Sequence, residues 1–518
     1  MRRWLSLLLA VCLGLSLAGC GWEEDPALSP EPTPSPTPSP TRAPEAMGFS
    51  LGYDPSASLH PITGDSQVNQ DLTGLVYQGL YELDNEFTPH PVLAASGAPS
   101  GDGYSWTFTM RAGAVFSDGT PLTAQHAAAS LNAARSSALY AARLSGVTGV
   151  SAADEATLAV YLSAPNGNLP ALLDVPIVLE REEGPAPLGT GCYQYELAGD
   201  RLFLETNPHH AGGAALPWST VPLTAVTSAD ERIAAFDSGD ITAVTTDFTD
   251  PYALGYSSSY ETSDFPTTVM LYVGFQTGSG PCQSNLVRQA FSRAFDREAL
   301  VQAELSGHGD AASLPLSPAC AGYDREAAAL LDYDLEQAAA LLAQAGYERN
   351  EEDGLLYRRR GPLEVTLAVN SDNECRQAVA AALVRSLEEL GASVTVSTLP
   401  WEGYLSALAQ GKFDLYLGEV RLTGDFDPSP LLAGALNYGG YAGWETGQAL
   451  SAWKGAQGEG REEAAQALWA RFVQDAPIAP LCFKRGSLLV RWGMASNLQP
   501  TRANPFYRIE EWSTASSR

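Results

Sequence analysis

Between residues 363 and 420 the chain runs "LEVTLAV", "ECRQAVAAALVRSLEELG", "SVTVSTL" and "FDLYLGEV", and this order constrains the fold more than any other stretch. Short apolar runs rich in β-branched residues read as strands, and the alanine- and leucine-rich segment between them as a helix stopped by Gly391. Strand, helix and strand in succession imply a right-handed crossover that lays the strands parallel, so an α/β layer is expected. Two further helices, "NLVRQAFSRAFDREALVQAEL" and "DLEQAAALLAQAGY", precede it, the second stopped by Gly346.

The earlier chain has a different rhythm. "YSWTFTM" and "ATLAVYLS" alternate as half-buried strands do. Between them, in "VFSDGTPLTAQHAAASL", Asp118-Gly119 closes a turn and Pro121 ends extended structure. Thr123 then launches a helix, its hydroxyl placed to accept an orphan amide proton. The C-terminal "APLCFKRGSLLVRW" returns to strand.

At 518 residues and 45% hydrophobic content the chain can build two or three cores. Its 60 acidic residues against 30 basic ones give a net charge of −30. That excess argues against nucleic acid, whose phosphates demand basic patches, and otherwise serves solubility.

The first residues set the compartment. Arg2 and Arg3 precede the apolar run "WLSLLLAVCLGLSLA", too short for a comfortable membrane span, and Leu17-Ala18-Gly19-Cys20 follows. Residues 1–19 read as a signal peptide. "LAGC" resembles the lipobox of bacterial lipoproteins, which implies lipidation of Cys20 and a protein held outside the cytoplasm on the cell membrane; a secretory signal with a chance cysteine is the alternative. Residues 20–45 include "WEEDPALSPEPTPSPTPSPTRAPE", a proline-alternating tether that favours extended polyproline II. From Pro26 to Pro44 it reaches on the order of 60 Å.

Cys192, Cys282, Cys320, Cys375 and Cys482 remain, an odd number in an oxidising compartment. Cys282 and Cys320, each next to or near a proline in a loop-like segment, are the expected disulfide. No C-x-x-C occurs, the six histidines are scattered, and adjacent His209-His210 on a strand would face opposite ways. No metal site and no cofactor are expected. The chain lacks a P-loop and a G-x-S-x-G elbow, which argues against an ATPase or a serine hydrolase.

Seven separated stretches resemble one family when taken in order: "LVYQGLYELDNEFTPHPVLAAS", "DGYSWTFTMRAGAVFSDGTPLTA", "PLGTGCYQY", "AAFDSGDI", "VRQAFSRAFDREALV", "DLEQAAALLAQAGY" and "APLCFKRGSLLV". From about residue 46 onward the chain is similar to the family 5, peptide-binding class of extracytoplasmic solute-binding proteins. The resemblance implies an α/β, two-lobed periplasmic-binding-protein-like fold with an extra subdomain in the first lobe. Residues 46–276 would form the first lobe, 277–480 the second, and 481–518 a return to the first, with hinges near 274–277 and 481–483. It also implies a monomeric receptor, not an enzyme, that hands an oligopeptide to ABC permease and ATPase subunits. A nickel complex, haem or an oligosaccharide on the same fold, or a surface sensor without transport, are the alternatives.

By the same resemblance Asp425 in "LTGDFDPSP" would hold the ligand's amino terminus, with Asp427 as the fallback, and Trp401 would pack in the cleft. Tyr272 is a further carry-over at the hinge strand. Each has a plainer reading: the aspartates as turn residues beside Pro428, the tryptophan as core. Where relatives carry a tryptophan-glycine segment this chain has Glu419-Val420-Arg421, so Glu419 and Arg421 either face ligand ends or form a surface ion pair. His126-Ala127 and His209-His210 are further departures, expected to adjust packing and leave the fold unchanged.

Overall fold

A computed structural model describes residues 48–514 apart from 211–215, 250–254 and 360. The signal segment, Cys20 and the tether lie outside the described residues.

Strand Glu364–Asn370 pairs in parallel with Ser393–Leu399 on one side and Leu415–Arg421 on the other. Helix Glu374–Leu390 makes the first crossover. Asn373 caps it by accepting the N–H of Arg376, and Gly391 ends it at φ 101°, a left-handed conformation that costs glycine no Cβ clash. Val379, Leu383, Leu387 and Leu390 line its buried stripe, the spacing that one helix face presents to a sheet.

Two long antiparallel strands, Tyr260–Phe275 and Ile478–Arg491, run through the middle of this seven-stranded sheet. Ala243–Thr246 flanks one end of the pair, and Leu415–Arg421 flanks the other. The same two strands therefore serve both ends of the molecule. Their register shifts between Pro266 and Met270, because Pro266 has no N–H to give the ladder. Thr267 repairs the gap: its hydroxyl donates to the Lys484 carbonyl at 2.6 Å and accepts from the Val269 N–H at 3.1 Å. The expected boundary at 276/277 falls just past the end of Tyr260–Phe275, and the expected return at 481 falls inside Ile478–Arg491.

The first part of the chain builds two four-stranded sheets. In one of them, Ser105–Met110 alternates and buries Trp106, Phe108 and Met110. The Asp118-Gly119 turn forms, with Gly119 at φ 86° and the Asp118 carboxylate accepting the Thr120 N–H at 2.9 Å. The helix that follows spans Ala124–Ala134. His126 reaches back to its start, where Nδ1 accepts the Thr123 N–H at 3.2 Å, so a histidine fills the place of the usual glutamate of a capping box. Burial lowers the pKa of His126, which keeps that nitrogen available as an acceptor.

Three main apolar cores result. The first contains Phe49, on which Phe506 and Trp512 pack edge-on at 6.2 Å each. The second lies between the parallel layer and its helices. The third joins Leu83, Phe87 and Ala171 to Met270, Phe426 and Phe483. The expected Cys282–Cys320 disulfide is not formed: all five cysteines from Cys192 onward are free thiols. Cys282 is built into the second core and Cys320 packs against the third, so nearby prolines were no guide to proximity. Among the described residues no helix is long and apolar enough to cross a membrane, and no cluster of three His, Cys, Asp or Glu could hold a metal ion.

Candidate functional site

Where the two long strands break register, a cavity of about 250 Å³ opens beside them. Thr267 and Val269 line it from one strand, Lys484 and Arg485 from the other. The charged part of the remaining wall comes from Asp71, Arg232, Asp247, Arg421 and Arg502. A bulge next to a cavity is a common device, since the unpaired residue re-aims side chains out of the sheet. Five cations therefore converge in a chain whose net charge is −30.

Some of these charges are matched. Arg485 donates to both carboxylate oxygens of Asp310, at 2.6 and 3.1 Å. The Lys484 ammonium lies 2.7 Å from Asp247 and 3.5 Å from Glu419. Burial alone would pull its pKa down, yet the two carboxylates raise it. Asp71 accepts from the Thr245 hydroxyl and, at 2.7 Å, from Gln67. Burial still pushes its pKa up to about 6.

Others are not. Arg502 has no hydrogen-bond or ion-pair partner among the described residues, and its Nε is buried without one. Burial, with Arg143 and Arg421 close by, pulls its pKa down to about 9, against the opposing charge of Asp174. Arg421 is exposed at the end of its strand, equally without a partner among the described residues. Arg143 is neutralised by Asp174 and lies over the Tyr140 ring at 5.1 Å.

The residues singled out in the sequence separate into three places. Arg421 lines the cavity, and Glu419 sits at its margin, 3.2 Å from Arg376 as well as paired to Lys484. Asp425 is buried at the junction of the two halves, accepting from Thr423 at 2.5 Å and from Asn166 at 3.0 Å. Burial raises its pKa. Asn166 comes from the far side of that junction, where the N–H of Gly167 also donates to the Lys454 carbonyl at 2.6 Å. A Cβ at Gly167 would come within 1.9 Å of the Ala456 carbonyl oxygen, so only glycine permits this approach. Asp427 is committed to Lys454 and to the Ser429 N–H, a turn role. Trp401 opens its helix 45% exposed and stacks on Tyr404. Tyr272 is 3% exposed, with its hydroxyl 3.4 Å from that of Tyr416. His209 and His210 do not converge on a common point: the ring of His210 bonds the Thr190 carbonyl while that of His209 lies by Gly119.

Sequence reasoning did not find Asp71, Arg232, Lys484, Arg485 or Arg502. One signal was available: "CFKRGSLL" places two cations inside an otherwise buried strand, an arrangement that requires partners or a cavity.

Two halves joined by a pair of antiparallel strands, with a charged cavity beside the crossing, define a two-lobed α/β ligand-binding protein. Residues 88–443 match the model of bacterial extracellular solute-binding proteins, family 5 (middle), and the chain belongs to that family. It is similar to the oligopeptide-binding protein AppA of Bacillus subtilis (strain 168), 23% identical over 476 residues that cover 85% of this chain and 87% of that one. With the glutathione-binding protein GsiB of Escherichia coli (strain K12) it shares 26% over 405 residues, 73% and 75% of the two chains. Among solved structures, the unliganded open form of the murein tripeptide-binding protein MppA matches with a TM-score of 0.73 at 21% identity, covering 91% of this chain and 97% of that one. NikZ of Campylobacter jejuni in complex with Ni(L-His) matches at 0.61 and 18%, over 90% and 99%. The protein is thus a solute-binding receptor of the ABC-importer type, not an enzyme.

Proposed function

We propose that this is a lipid-anchored receptor outside the cytoplasm that captures an oligopeptide and delivers it to ABC permease and ATPase subunits. The observation that carries the reading is the cavity beside the bulged crossing strands, walled from both lobes and bearing both signs of charge. A peptide has an anionic and a cationic end on a neutral amide chain, and such a wall can hold both. The similarity to AppA and GsiB supports the same solute class.

The receptor works by population shift: a ligand that touches both lobes stabilises the closed arrangement by its differential contacts. The lobes divide as the sequence suggests, residues 46–276 and 277–480 with 481–518 returning, and the bend is absorbed at the bulge 266–270 opposite 483–485. Asp425 anchors the ligand's amino terminus by exchanging its bond to Asn166 for the ammonium group. Cys20 carries the lipid, and the tether keeps the receptor near the permease, raising its effective concentration there.

Native mass spectrometry of the full chain purified from its own host tests this. Co-purifying peptides and a diacylglyceryl mass on Cys20 are expected; a nickel complex, haem or sugar as the cargo overturns the peptide reading. Asp425→Asn should weaken peptides with free amino termini at least tenfold more than acetylated ones, measured by calorimetry. Equal losses remove Asp425 from the site.

A further inference from the structure

Lys484 stands where the two long strands part register. Pro266 pairs with Arg485 and Met270 with Phe483, so Lys484 opposes the three residues 267–269. Its backbone is held on both sides: the carbonyl accepts the Thr267 hydroxyl at 2.6 Å, and its other edge pairs with Gly309. From that fixed main chain the side chain reaches two carboxylates that come from opposite ends of the strand pair. Asp247, 2.7 Å from the ammonium, follows strand Ala243–Thr246, which pairs with residues 487–490 at one end. Glu419, 3.5 Å away, belongs to Leu415–Arg421, which pairs with residues 269–275 at the other. Arg376, in the first turn of helix Glu374–Leu390, holds Glu419 in turn at 3.2 Å. Asp247, Lys484, Glu419 and Arg376 thus form a row of alternating charge laid across the bulge. The neighbouring pair is local by contrast: Arg485 binds Asp310, which lies on the strand paired with residues 482–484.

Exposed ion pairs are worth little, but the Lys484 side chain is 13% exposed and that of Glu419 25%, so their attraction is less screened than at the surface. A bend at the bulge changes the distance between Asp247 and Glu419, and one ammonium can stay near both only over a narrow range of that distance. We propose that Lys484 is a positioning residue that clamps the lobes: its ammonium bridges Asp247 of one to Glu419 of the other and limits how far the ligand-free receptor opens. The 3.5 Å arm gives way first, because on parting Glu419 keeps Arg376 and Lys484 keeps Asp247. A solute therefore meets lobe populations already weighted by this bridge. The clamp rests on the reading of two lobes that bend at the bulge, and not on the identity of the solute.

Small-angle X-ray scattering of the ligand-free full chain tests it, in wild type, Lys484→Met, Lys484→Arg, Glu419→Gln and Asp310→Asn. The tether is common to all, so differences report the lobes. Lys484→Met and Glu419→Gln are expected to raise the radius of gyration by about 1 Å, against about 23 Å for a folded body of this size. Lys484→Arg can still bridge, and Asp310→Asn breaks only the local pair, so both should keep the wild-type value. No rise in either of the first two variants, or an equal rise in Asp310→Asn, overturns the proposal. Should Lys484→Met fail to fold, as read from its melting curve, Glu419→Gln decides on the same criterion. A chain that opens as expected but takes up nothing from a random tripeptide library keeps the clamp and loses the oligopeptide reading. One that binds tripeptides while its radius stays the same in every variant keeps that reading and loses the clamp.

Discussion

Two regions of the lobe junction, built partly from the same stretch 419–427, differ in how complete they are. The apolar one is finished: Phe426 meets Phe87 edge-on at 4.8 Å and Phe483 at 5.6 Å. Phe87 and Phe426 both hold left-handed backbones, φ 58° and 54°, at a cost of about 1–2 kcal/mol each that packing offsets. The charged one, a few residues away, is unfinished, with Arg421 and Arg502 lacking partners among the described residues. The apolar region is closed by its own packing, whereas the charged one is not neutralised by its own side chains.

The largest test of this contrast is Phe426→Ala. It should cost about 3–5 kcal/mol of stability in denaturant unfolding, as deletion of a buried aromatic does. Arg421→Gln, at an exposed position, should fall within about 0.5 kcal/mol. Similar losses for the two would erase the distinction between a structural and a ligand-facing region.

A middle-sized effect is expected at the polar contact between them. Asn166→Asp sets a second carboxylate against the buried Asp425, replacing a donor with a repelling acceptor. A loss of about 2 kcal/mol at pH 7.5 is expected, shrinking as the pH falls and one of the two carboxyls takes up a proton. A loss that does not depend on pH would mean that the contact is not closed in solution.

The smallest effect belongs to Asp71 at the cavity wall. Its folded pKa of about 6 lies above the ordinary aspartate value of 3.8. A raised carboxyl adds stability that is complete below about pH 4 and is lost as the pH rises through 6. At pH 7.5 the charged form therefore works against the fold. Asp71→Asn should raise stability there by about 1 kcal/mol, an allowance for partial solvent screening included, and make no difference near pH 4. Paired melting curves at the two pH values check it.

Periodicity and punctuation made much of the scaffold legible. The parallel layer from 364 to 421, the stop at Gly391 and the turn at Gly119 follow from local rules, and each stands where those rules put it. A departure from the family's pattern at 419–421 drew attention to Arg421, which lines the cavity, and to Glu419, which pairs with the cavity's Lys484. Arg502 was not legible, since "QPTRANPF" reads as an ordinary loop. The cysteine pairing failed for a related reason: a disulfide depends on distance through space, and a neighbouring proline says nothing about distance.

By itself the sequence determined a two-lobed α/β receptor, because strand and helix periods, glycine stops and an ordered set of family stretches all act locally along the chain. Only the tertiary structure decided which cations are spent on carboxylates and which are left over. Neutralisation is set by what lies within a few ångströms in space, and the groups that settle it here come from residues as far apart as 71 and 502.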